Sequence, residues 1–450
     1  MRRVILKSGN FFIAALGCPK NLVEAEIISG TMLAEGYSIC FDPADADIYI
    51  VDTCAFLPAA RSEAADEIYA AVQWKNERSG RVIAVAGCLL NHAELSVFKA
   101  HFPEVDLWVP VNDTAGIPAL LRKEKEVSTD KEITFLGDEK LPKMQLTLPH
   151  VAYLKISDGC DNRCAYCAIP ELRGKLRSRT AASVLAEAEQ LISNGVKELI
   201  VIGQDITAFG HDRPEAGEDL AYLLRRLNEL PGDFSIRLLY THPAHYTDEL
   251  IGLIAAGGKI LPYLDIPLQH ISNRILKDMN RHIDTAGIET LLTKLRKNIP
   301  GLVLRSTFIT GLPGESEAEF EELCDFIRRW KFERLGVFSF APEPGTPAAG
   351  MTGQIPVEIA DARARKILKN QIARMKRAQK RLVGSVVEAL VDDVDGYGVA
   401  IARSAADAPE IDNVIRFAAW RGVKPGKRVL LRITGCDGCD LVAEKFRKNF

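Results

Sequence analysis

Apolar and polar residues alternate in blocks over the first part of the chain. Four short runs rich in β-branched and other apolar residues predict strands, with helical patterns between them. These runs are Phe11 to Leu16, Ile48 to Val51, Val82 to Ala86 and Val105 to Val109. Such alternation is typical of a parallel sheet covered by helices. The sequence therefore predicts a flavodoxin-like parallel α/β domain over residues 1–140.

A second block of alternation follows a break in the pattern. From about Lys123 to Pro149 charged residues and prolines interrupt the apolar runs, which predicts a linker or a loosely packed hairpin. Beyond it, helical segments such as Ala181 to Asn194 separate six strand-like runs. The runs are Val151 to Ile156, Glu198 to Ile202, Ile236 to Leu239, Tyr263 to Ile266, Val303 to Ile309 and Leu335 to Phe340. Six β/α units indicate an open, partial (β/α)6 barrel over residues 146–382, with its chemistry at the carboxyl ends of the strands.

The last part of the chain has the turn-rich pattern of a small β structure. A helical stretch rich in Arg and Lys, Ala362 to Leu382, comes first. Short alternating runs with turn signals follow it, at Val386 to Val391, Gly398 to Ala402, Val414 to Phe417 and Val429 to Ile433. They predict a small antiparallel β-barrel over residues 383–450.

Composition agrees with a multidomain globular protein. A chain of 450 residues with 47% hydrophobic content and a formal charge of -3 can bury two or three cores, and it is neither disordered nor fibrous in character. No stretch approaches the ~20 apolar residues of a membrane span. Lys7 and Asn10 interrupt the apolar run after Met1 before a signal-peptide core forms. We expect a cytoplasmic protein without a membrane partner, whose ten cysteines are metal ligands or free thiols.

Three of these cysteines stand close together after a predicted strand. Cys160, Cys164 and Cys167 have C-x3-C-x2-C spacing. Three thiolates can hold three corners of a [4Fe-4S] cluster and leave the fourth iron open to a small molecule, as a catalytic zinc keeps one position open. The alternative is a zinc knuckle, which needs a fourth Cys or His ligand.

Three further cysteines each follow the carboxyl end of a predicted strand. They are Cys18, Cys54 and Cys88, and in open parallel sheets such strand ends line the ligand crevice. Each cysteine alone could be a small buried apolar residue. Their equivalent positions favour a second iron-sulfur cluster, again with an open iron. Asn21 and Glu24 resemble a helix start, which would put the first thiol near a positive helix end.

The C-x3-C-x2-C run, with Tyr166 before its third cysteine, resembles the signature of the radical S-adenosylmethionine (SAM) superfamily. With the three-cysteine domain before it and a TRAM-like barrel after it, the chain resembles the methylthiotransferases. One branch of these modifies isopentenylated adenosine in tRNA, and the RimO branch modifies an aspartate of a small-subunit ribosomal protein. Three segments resemble the RimO branch: Leu16 to Val23, Tyr263 to His270 and Ala408 to Asp412.

This resemblance implies two [4Fe-4S] clusters and two uses of SAM. A 5′-deoxyadenosyl radical would take a hydrogen from the aspartate β-carbon, and a methylthio group would then be transferred to that carbon. A low-potential electron donor and a ribosomal protein or subunit are the implied partners, with tRNA as the less favoured substrate. The sulfur source and any catalytic side chain stay unidentified. A scaffold protein without chemistry is the alternative of another class, and an open iron argues against it.

Several other residues match superfamily patterns for SAM binding. Gln204 and Asp205 follow the second barrel strand, and Gly311 follows the fifth. Both loops contain glycines that permit close backbone approach, although ordinary turn chemistry is the alternative. Arg177 and Arg179 could hold carboxylates of SAM or substrate, or could lie on a solvated surface.

Charge bears on the choice between protein and tRNA as substrate. Acidic residues of the last barrel, including Asp392, Asp407 and Asp412, balance its basic ones, whereas RNA-binding modules usually show a basic excess. Acidic loops would suit a basic ribosomal protein. The basic helix could follow a phosphate backbone, but a solvated face linking two domains is favoured.

The remaining cysteines and a strand-end histidine carry no predicted chemistry. Cys40 and Cys324 have apolar neighbours and are expected in the core. Cys436 and Cys439 form a C-x2-C pair without two further ligands, which favours a hairpin turn with free thiols. His270 is expected to be satisfied by the backbone.

Overall fold

The amino-terminal sheet has five parallel strands in the order β2-β1-β3-β4-β5. The computed structural model describes residues 8–130 and 132–447. The strands are β1 (Asn10–Ala15), β2 (Ser38–Ile39), β3 (Ile48–Thr53), β4 (Val82–Gly87) and β5 (Leu107–Trp108), and the helices are α1 (Pro19–Ala34), α2 (Pro58–Glu77), α3 (Leu95–His101) and α4 (Ile117–Leu121). Every residue of β3 and β4 is buried, as expected for central strands covered on both faces. The strand order is that of flavodoxin-like folds, which confirms the predicted class.

The second unit is an open sheet of six parallel strands in the order β13-β12-β11-β10-β9-β6. Its strands are β6 (Val151–Lys155), β9 (Glu198–Ile202), β10 (Ser235–Leu238), β11 (Ile260–Asp265), β12 (Val303–Thr310) and β13 (Arg334–Ser339). The helices are α5 (Ile169–Arg173), α6 (Ala181–Ser193), α7 (Leu220–Glu229), α8 (Asp248–Ala256), α9 (Asn273–Asp278), α10 (Thr285–Asn298), α11 (Glu317–Trp330) and α12 (Val357–Lys380). A small antiparallel pair, β7 (Ser157–Asp158) with β8 (Arg177–Ser178), was not predicted. The predicted partial barrel of six strands is confirmed.

The last unit is a closed barrel of five strands. They are β14 (Val386–Val394), β15 (Val399–Ser404), β16 (Ile415–Ala418), β17 (Arg428–Asp437) and β18 (Asp440–Lys445). The prediction missed β18, a run of six residues with three apolar residues between charged ends and no clear alternation in its sequence. The predicted small β-barrel is confirmed, and its strand pairs are antiparallel except for β16 and β18, which run parallel where the barrel closes.

All three units contribute to the inner side of the partial barrel. Val23 and Ile27 of α1 pack there against Tyr153 and Tyr263 of the strands, together with Ala408 from the loop between β15 and β16. Each of these side chains is at most 4% exposed. The first and last units therefore close over the strands whose ends carry the predicted chemistry.

The linker before the barrel is packed against α1. The Met144 N–H donates to the Glu26 carbonyl at 2.9 Å, and the Leu146 N–H donates to the Glu26 carboxylate at 2.9 Å. Its described residues contain no strand, so the alternative of a hairpin is wrong. The backbone of Pro142 lies directly against α1 at Gly30, where an added Cβ would be 2.4 Å from it, so only glycine leaves room for this contact.

Three acidic residues of the closed barrel have partners inside the protein. Asp392 accepts from Arg403 at 2.6 Å and pairs with His150 at 3.0 Å. Asp412 accepts from the Tyr263 hydroxyl at 2.6 Å. Asp407 pairs with a barrel arginine as well, and all three carboxylates are at least four-fifths buried. These three carboxylates are therefore not free to contact a basic partner, whereas Asp393, Asp395 and Glu410 of the same barrel are exposed. The prediction is wrong for the first three residues only.

The basic helix α12 is an integral part of the partial barrel. Its residues Ala360, Ala364 and Ile367 are buried against the barrel. Arg363 pairs with Glu315 at 3.2 Å and also with Glu317. This packing supports the interpretation of α12 as a helix between two domains rather than a track for phosphates.

Segment 1–7, on which the expectation of no secretion signal partly rests, lies outside the described residues. Within residues 8–130 and 132–447, no helix combines the length and the apolar character needed to cross a bilayer.

Candidate functional site

Three cysteines of the partial barrel lie on the loop between β7 and α5; we call Cys160, Cys164 and Cys167 the barrel site. The Cys167 N–H donates to the Cys164 carbonyl at 3.0 Å. Gly159, with φ +79°, precedes the first thiol, and a Cβ there would lie 1.9 Å from the Lys175 carbonyl oxygen. Only glycine fits such a position. One tightly folded loop thus carries all three thiols.

A cavity of about 280 Å³ adjoins the barrel site and is lined by Cys160, Asp205 and His245 among others. The Asp205 carboxylate accepts from Asn162 Nδ2 at 2.8 Å and lies 2.8 Å from His245 Nδ1. Burial would raise the pKa of Asp205, but the hydrogen bond and charge of His245 lower it to about 2. The ionised carboxylate of Asp205, one of the predicted SAM-binding residues, therefore lies beside Cys160, a predicted iron ligand.

Arg281 contacts the barrel site from the segment after α9. Its NH1 lies 3.4 Å from Cys164 Sγ and 3.5 Å from the Tyr166 hydroxyl, and the residue is 3% exposed. The guanidinium thus donates to the sulfur of a predicted iron ligand. Tyr166 is held at the site through this arginine.

Three strand ends of the amino-terminal sheet meet at one buried amide; we call Cys18, Cys54 and Cys88 the sheet site. The Asn21 Nδ2 donates to the Thr53 carbonyl, next to Cys54, at 2.8 Å. Its Oδ1 accepts from Cys18 Sγ at 3.4 Å and lies 3.8 Å from Cys88 Sγ. The convergence expected from topology is therefore present in the structure.

The start of α1 differs from the prediction made for it. The helix begins at Pro19 with Cys18 as its N-cap residue, so Asn21 and Glu24 do not start it. The first thiol nevertheless lies at the positive end of a helix, as the sequence predicts.

Close packing fixes the sheet site. Gly17 has φ +90°, and a Cβ there would lie 2.4 Å from the Cys54 Cβ. Burial raises the pKa of Cys54 and raises the pKa of Cys88 to about 12. A free thiol with such a pKa stays protonated at neutral pH, and bound iron would replace its proton.

The spacing of the thiols fits a cluster better than a single ion. Among the described residues, the one group whose ligand atoms all lie within 4.8 Å of one another is Asp205, His242 and His245, and neither set of thiols meets that distance. A zinc ion with bonds of about 2.3 Å would hold its thiolates closer than that. His150, the histidine nearest in sequence to the barrel site, bonds to Asp392 instead. The zinc-knuckle alternative therefore lacks support.

A buried network of four charges separates the two sites. Lys155 Nζ lies 2.9 Å from the Glu24 carboxylate and 3.1 Å from the Asp158 carboxylate. Arg173 NH1 pairs with Glu24 and lies 3.6 Å from Asp158. Burial alone would raise the pKa of Asp158, but Lys155 and Arg173 hold that pKa well below its ordinary value. Two carboxylates thus balance two cations, each side chain at most 1% exposed.

Other predicted SAM-binding residues have structural partners. The Gln204 Nε2 donates to Asp158 at 2.6 Å, and Arg177 NH1 donates to the carbonyls of Arg173 at 3.0 Å and Lys175 at 2.9 Å. Neither Gln204 nor Arg177 lines the cavity beside Cys160. Both side chains instead hold the segments that carry the barrel site.

Gly311 and Arg179 have roles in packing. A Cβ on Gly311 would lie 2.3 Å from the Cβ of Ala360, so the close approach at this glycine is that of α12. Arg179 is 3% exposed and pairs with Glu187. The alternative that placed Arg179 on a solvated surface is wrong.

The site includes residues that sequence reasoning missed. Arg173 and Arg281 each reach a thiol, His245 holds Asp205, and Lys20 Nζ lies 3.2 Å from the centre of the Tyr240 ring. Their partners lie between 40 and 220 residues away in sequence, so no local pattern connects them.

The side chains without predicted chemistry lie as follows. Cys324 is buried in the core of the partial barrel, while Cys40 is half-buried. Cys436 and Cys439 are half-buried free thiols on the hairpin of β17 and β18. His270 is fully buried, and its Nδ1 accepts from the Ser272 N–H at 3.0 Å, while its Nε2 has no hydrogen-bond partner among the described residues, so the expected backbone satisfaction holds for one ring nitrogen only.

Three family descriptions match successive parts of the chain. Residues 10–110 match the uncharacterized protein family UPF0004, residues 154–327 match the Radical SAM superfamily, and residues 383–445 match the TRAM domain.

Among solved structures, the chain is similar to the radical S-adenosylmethionine methyltransferase TsrM from Kitasatospora setae, with a TM-score of 0.57 and 12% identity over 87% of this chain and 79% of that one. It is also similar to the cobalamin-dependent S-adenosylmethionine radical enzyme OxsB, with a TM-score of 0.54 and 14% identity over 80% of this chain and 56% of that one. These likenesses show the fold.

Curated relatives are similar over nearly their whole length. The chain is 41% identical to the ribosomal protein uS12 methylthiotransferase RimO of Pelotomaculum thermopropionicum, over 96% of this chain and 98% of that protein. It is 40% identical to the protein of the same name from Carboxydothermus hydrogenoformans, over 96% and 99%, and 39% identical to that from Syntrophus aciditrophicus, over 98% and 99%. By these identities and this coverage, the chain belongs to the RimO family of methylthiotransferases.

Proposed function

We propose that this protein is an enzyme that inserts a methylthio group at the β-carbon of an aspartate in the small-subunit ribosomal protein uS12. The printed names of its relatives support this substrate. One structural observation carries the chemistry: two sets of three thiols lie at the carboxyl ends of two neighbouring sheets, linked by one buried network of charges. Three ligands per cluster leave one iron open in each.

Each set of thiols holds a [4Fe-4S] cluster in this proposal. Together with SAM, the clusters supply the one-electron chemistry that breaks an unactivated C–H bond, which no acidic or basic side chain can do. Cys160, Cys164 and Cys167 hold the first cluster; Cys18, Cys54 and Cys88 hold the second. The protein's own task is to bind, orient and shield the reactants.

Asp205 is the residue that we assign to SAM binding. Its carboxylate is ionised at every working pH, because its pKa is about 2, and it lies in the cavity beside Cys160. An ionised carboxylate there can accept hydrogen bonds from the amine of SAM. His245, which also lines the cavity, holds the carboxylate at 2.8 Å, and Arg281 contacts Cys164 and Tyr166 of the cysteine loop.

The chain divides in this proposal into a cluster domain at 1–140, a radical SAM domain at 146–382 and a TRAM-like barrel at 383–450. The family matches lie within these limits and support them. A low-potential electron donor and a sulfur source complete the reaction. The cytoplasm is the proposed compartment because ribosomal proteins are there.

A direct test offers both candidate substrates to the reconstituted enzyme. Under anaerobic conditions, with SAM, sulfide and a strong reductant, uS12 should gain the mass of a methylthio group and 5′-deoxyadenosine should accumulate. Isopentenylated tRNA, in a parallel reaction, should keep its mass. A mass gain on tRNA alone would overturn the substrate, and the absence of 5′-deoxyadenosine from every reaction would overturn the enzyme class.

A further inference from the structure

Arg173 belongs to the segment of the barrel site but reaches a thiol of the sheet site. It ends α5, the helix that starts two residues after Cys167. Its Nε donates to Cys88 Sγ at 3.1 Å, and its NH2 donates to Asn21 Oδ1 at 3.2 Å. The residue is 1% exposed. One guanidinium therefore joins two sites whose cysteines are far apart in sequence.

Each edge of this guanidinium has its own partner. Nε contacts the thiol, NH2 contacts the amide that touches all three strand ends, and NH1 pairs with Glu24. Arginine presents five N–H donors in a fixed plane, whereas lysine has one compact ammonium group. The arrangement thus requires arginine for its geometry as well as for its charge.

Lys155 keeps the charge of the network balanced in a different way. It contacts both Glu24 and Asp158, but no contact with a thiol is found for it among the described residues. Of the two buried cations, Arg173 alone has a hydrogen bond to Cys88.

We propose that Arg173 is a positioning residue that donates a hydrogen bond to one thiolate of the sheet-site cluster, raises the reduction potential of that cluster and ties it to the cysteine loop of the barrel. The inference rests on the proposed function in that it requires a cluster at Cys18, Cys54 and Cys88. Reduction potentials of iron-sulfur clusters depend on hydrogen bonds to the sulfurs and on nearby charge. A positive donor at 3.1 Å supplies both.

Arg281 offers a matched control, because it is equally buried and lies 3.4 Å from Cys164 Sγ of the barrel site. Each site thus has one buried arginine beside one thiol. If the contacts act locally, each arginine affects the potential of its own cluster and leaves the other unchanged.

The test isolates one cluster at a time in the full chain. In a background where the barrel cysteines are replaced (C160A, C164A, C167A), potentiometric titration followed by electron paramagnetic resonance reports the sheet-site cluster alone. We expect R173Q to shift its midpoint potential to more negative values and R281Q to leave it unchanged. In the reciprocal background (C18A, C54A, C88A), R281Q should shift the potential and R173Q should not.

Two further variants separate the hydrogen bond from charge balance and from folding. The double variant E24Q/R173Q removes one charge of each sign, so a negative shift that persists in it belongs to the missing donor at Cys88. R173K keeps the positive charge but lacks the planar guanidinium. We expect its midpoint potential to lie between those of the parent and R173Q. Loss of iron from the R173Q and the double variant, with an unchanged unfolding transition, would also support the contact.

An unchanged midpoint potential in R173Q and in the double variant, with full iron content, would overturn the inference. That outcome differs from failure of the proposed function, which would show as absence of any cluster in the first background before Arg173 is changed. The iron content of that background is therefore measured first.

Discussion

The two sets of thiols are assembled in opposite ways. The barrel site comes from a single loop of eight residues, Cys160 to Cys167, held by a backbone hydrogen bond within the loop and by others to Gly174, Met279 and Ala348. The sheet site gathers one thiol from each of three strand ends, at 18, 54 and 88, and a single buried amide touches all three ends. One site therefore depends on a short segment, and the other depends on the register of a whole sheet.

The two sites differ in how much of the fold must be correct before their ligands come together. A loop can form its ligand set with few long-range contacts, and its geometry survives changes elsewhere. A site made from strand ends is correct only when parallel strands and their helices pack in register. We therefore expect the sheet site to be more sensitive than the barrel site to changes in the surrounding core.

The largest expected effects come from removing each set of thiols. Replacing the three barrel cysteines with alanine should abolish 5′-deoxyadenosine formation and product formation together. Replacing the three sheet cysteines should abolish methylthiolated uS12 but retain 5′-deoxyadenosine. Chromatography of nucleosides and mass spectrometry of uS12 measure both outcomes. Loss of 5′-deoxyadenosine from both variants would contradict the division of chemistry between the sites.

Sequence reasoning found the two sites by different routes. The barrel site was recognised from spacing alone, whereas the sheet site needed the predicted strand ends and the rule that ligands gather there. Both routes use information along one chain. The contacts of Arg173 with Cys88 and of Arg281 with Cys164 depend on packing between distant segments, and no local pattern encodes them.

The errors of the sequence analysis have the same origin. The composition of the last barrel suggests that Asp392 and Asp412 contact a basic partner. Both are buried instead, where Arg403 and Tyr263 from other elements donate hydrogen bonds to them. The short strand β18 was missed because its pairing with β16 and β17 closes a barrel, which a single run cannot reveal. Periodicity along the chain predicts most of the strands and helices. It does not predict which polar groups pair with each other in the folded protein.

Two glycines offer a matched comparison of the sites. In Gly17→Ala the new Cβ would lie 2.4 Å from the Cys54 Cβ, and in Gly159→Ala it would lie 1.9 Å from the Lys175 carbonyl oxygen. Each should cost about 1–3 kcal/mol of stability and deplete iron from its own site. Iron analysis and urea unfolding measure the two effects.

Gly252→Ala is the control for these glycine variants. Gly252 lies within helix α8 with nothing within 4 Å of an added Cβ. We expect full iron content and a gain of up to about 1 kcal/mol in stability. Equal iron loss in all three variants would show that the packing at Gly17 and Gly159 is not what holds the thiols.

The carboxylate beside the barrel site gives a smaller effect. Asp205→Asn removes the ionised acceptor in the cavity and should weaken SAM binding about 10- to 100-fold, as expected for a hydrogen bond to a charged group. His245→Gln should weaken it less, because only the support of Asp205 changes. Equilibrium dialysis with SAM measures both. The sheet-site alanine variants should bind SAM at the barrel site as the parent does.

Two buried titratable groups affect the pH dependence of stability, with opposite sign. Burial lowers the pKa of His270 in the barrel to about 4, so its contribution to stability is complete above pH 6.5 and is lost as pH falls toward 4, by up to about 3 kcal/mol. Burial raises the pKa of Glu26 in α1 to about 7, so stability falls as pH rises from 4.5 to 7, by a similar amount. Urea unfolding of the cluster-free chain across this pH range measures both slopes.

The two slopes have opposite sign and overlap between pH 4.5 and 6.5, so the single variants are needed to separate them. His270→Gln should leave the fall of stability with rising pH that belongs to Glu26, and Glu26→Gln should leave the rise of stability with rising pH that belongs to His270. If both variants keep the pH profile of the parent, other groups control the acid and neutral stability of these two regions.

The most direct test of the account is a count of iron and acid-labile sulfide per chain after anaerobic reconstitution, in the parent and in the two triple alanine variants. The account predicts that each variant retains half of the iron and half of the sulfide of the parent, with a cluster that accepts SAM only where the barrel cysteines are intact. Unchanged iron in the variant that lacks Cys18, Cys54 and Cys88 would contradict it.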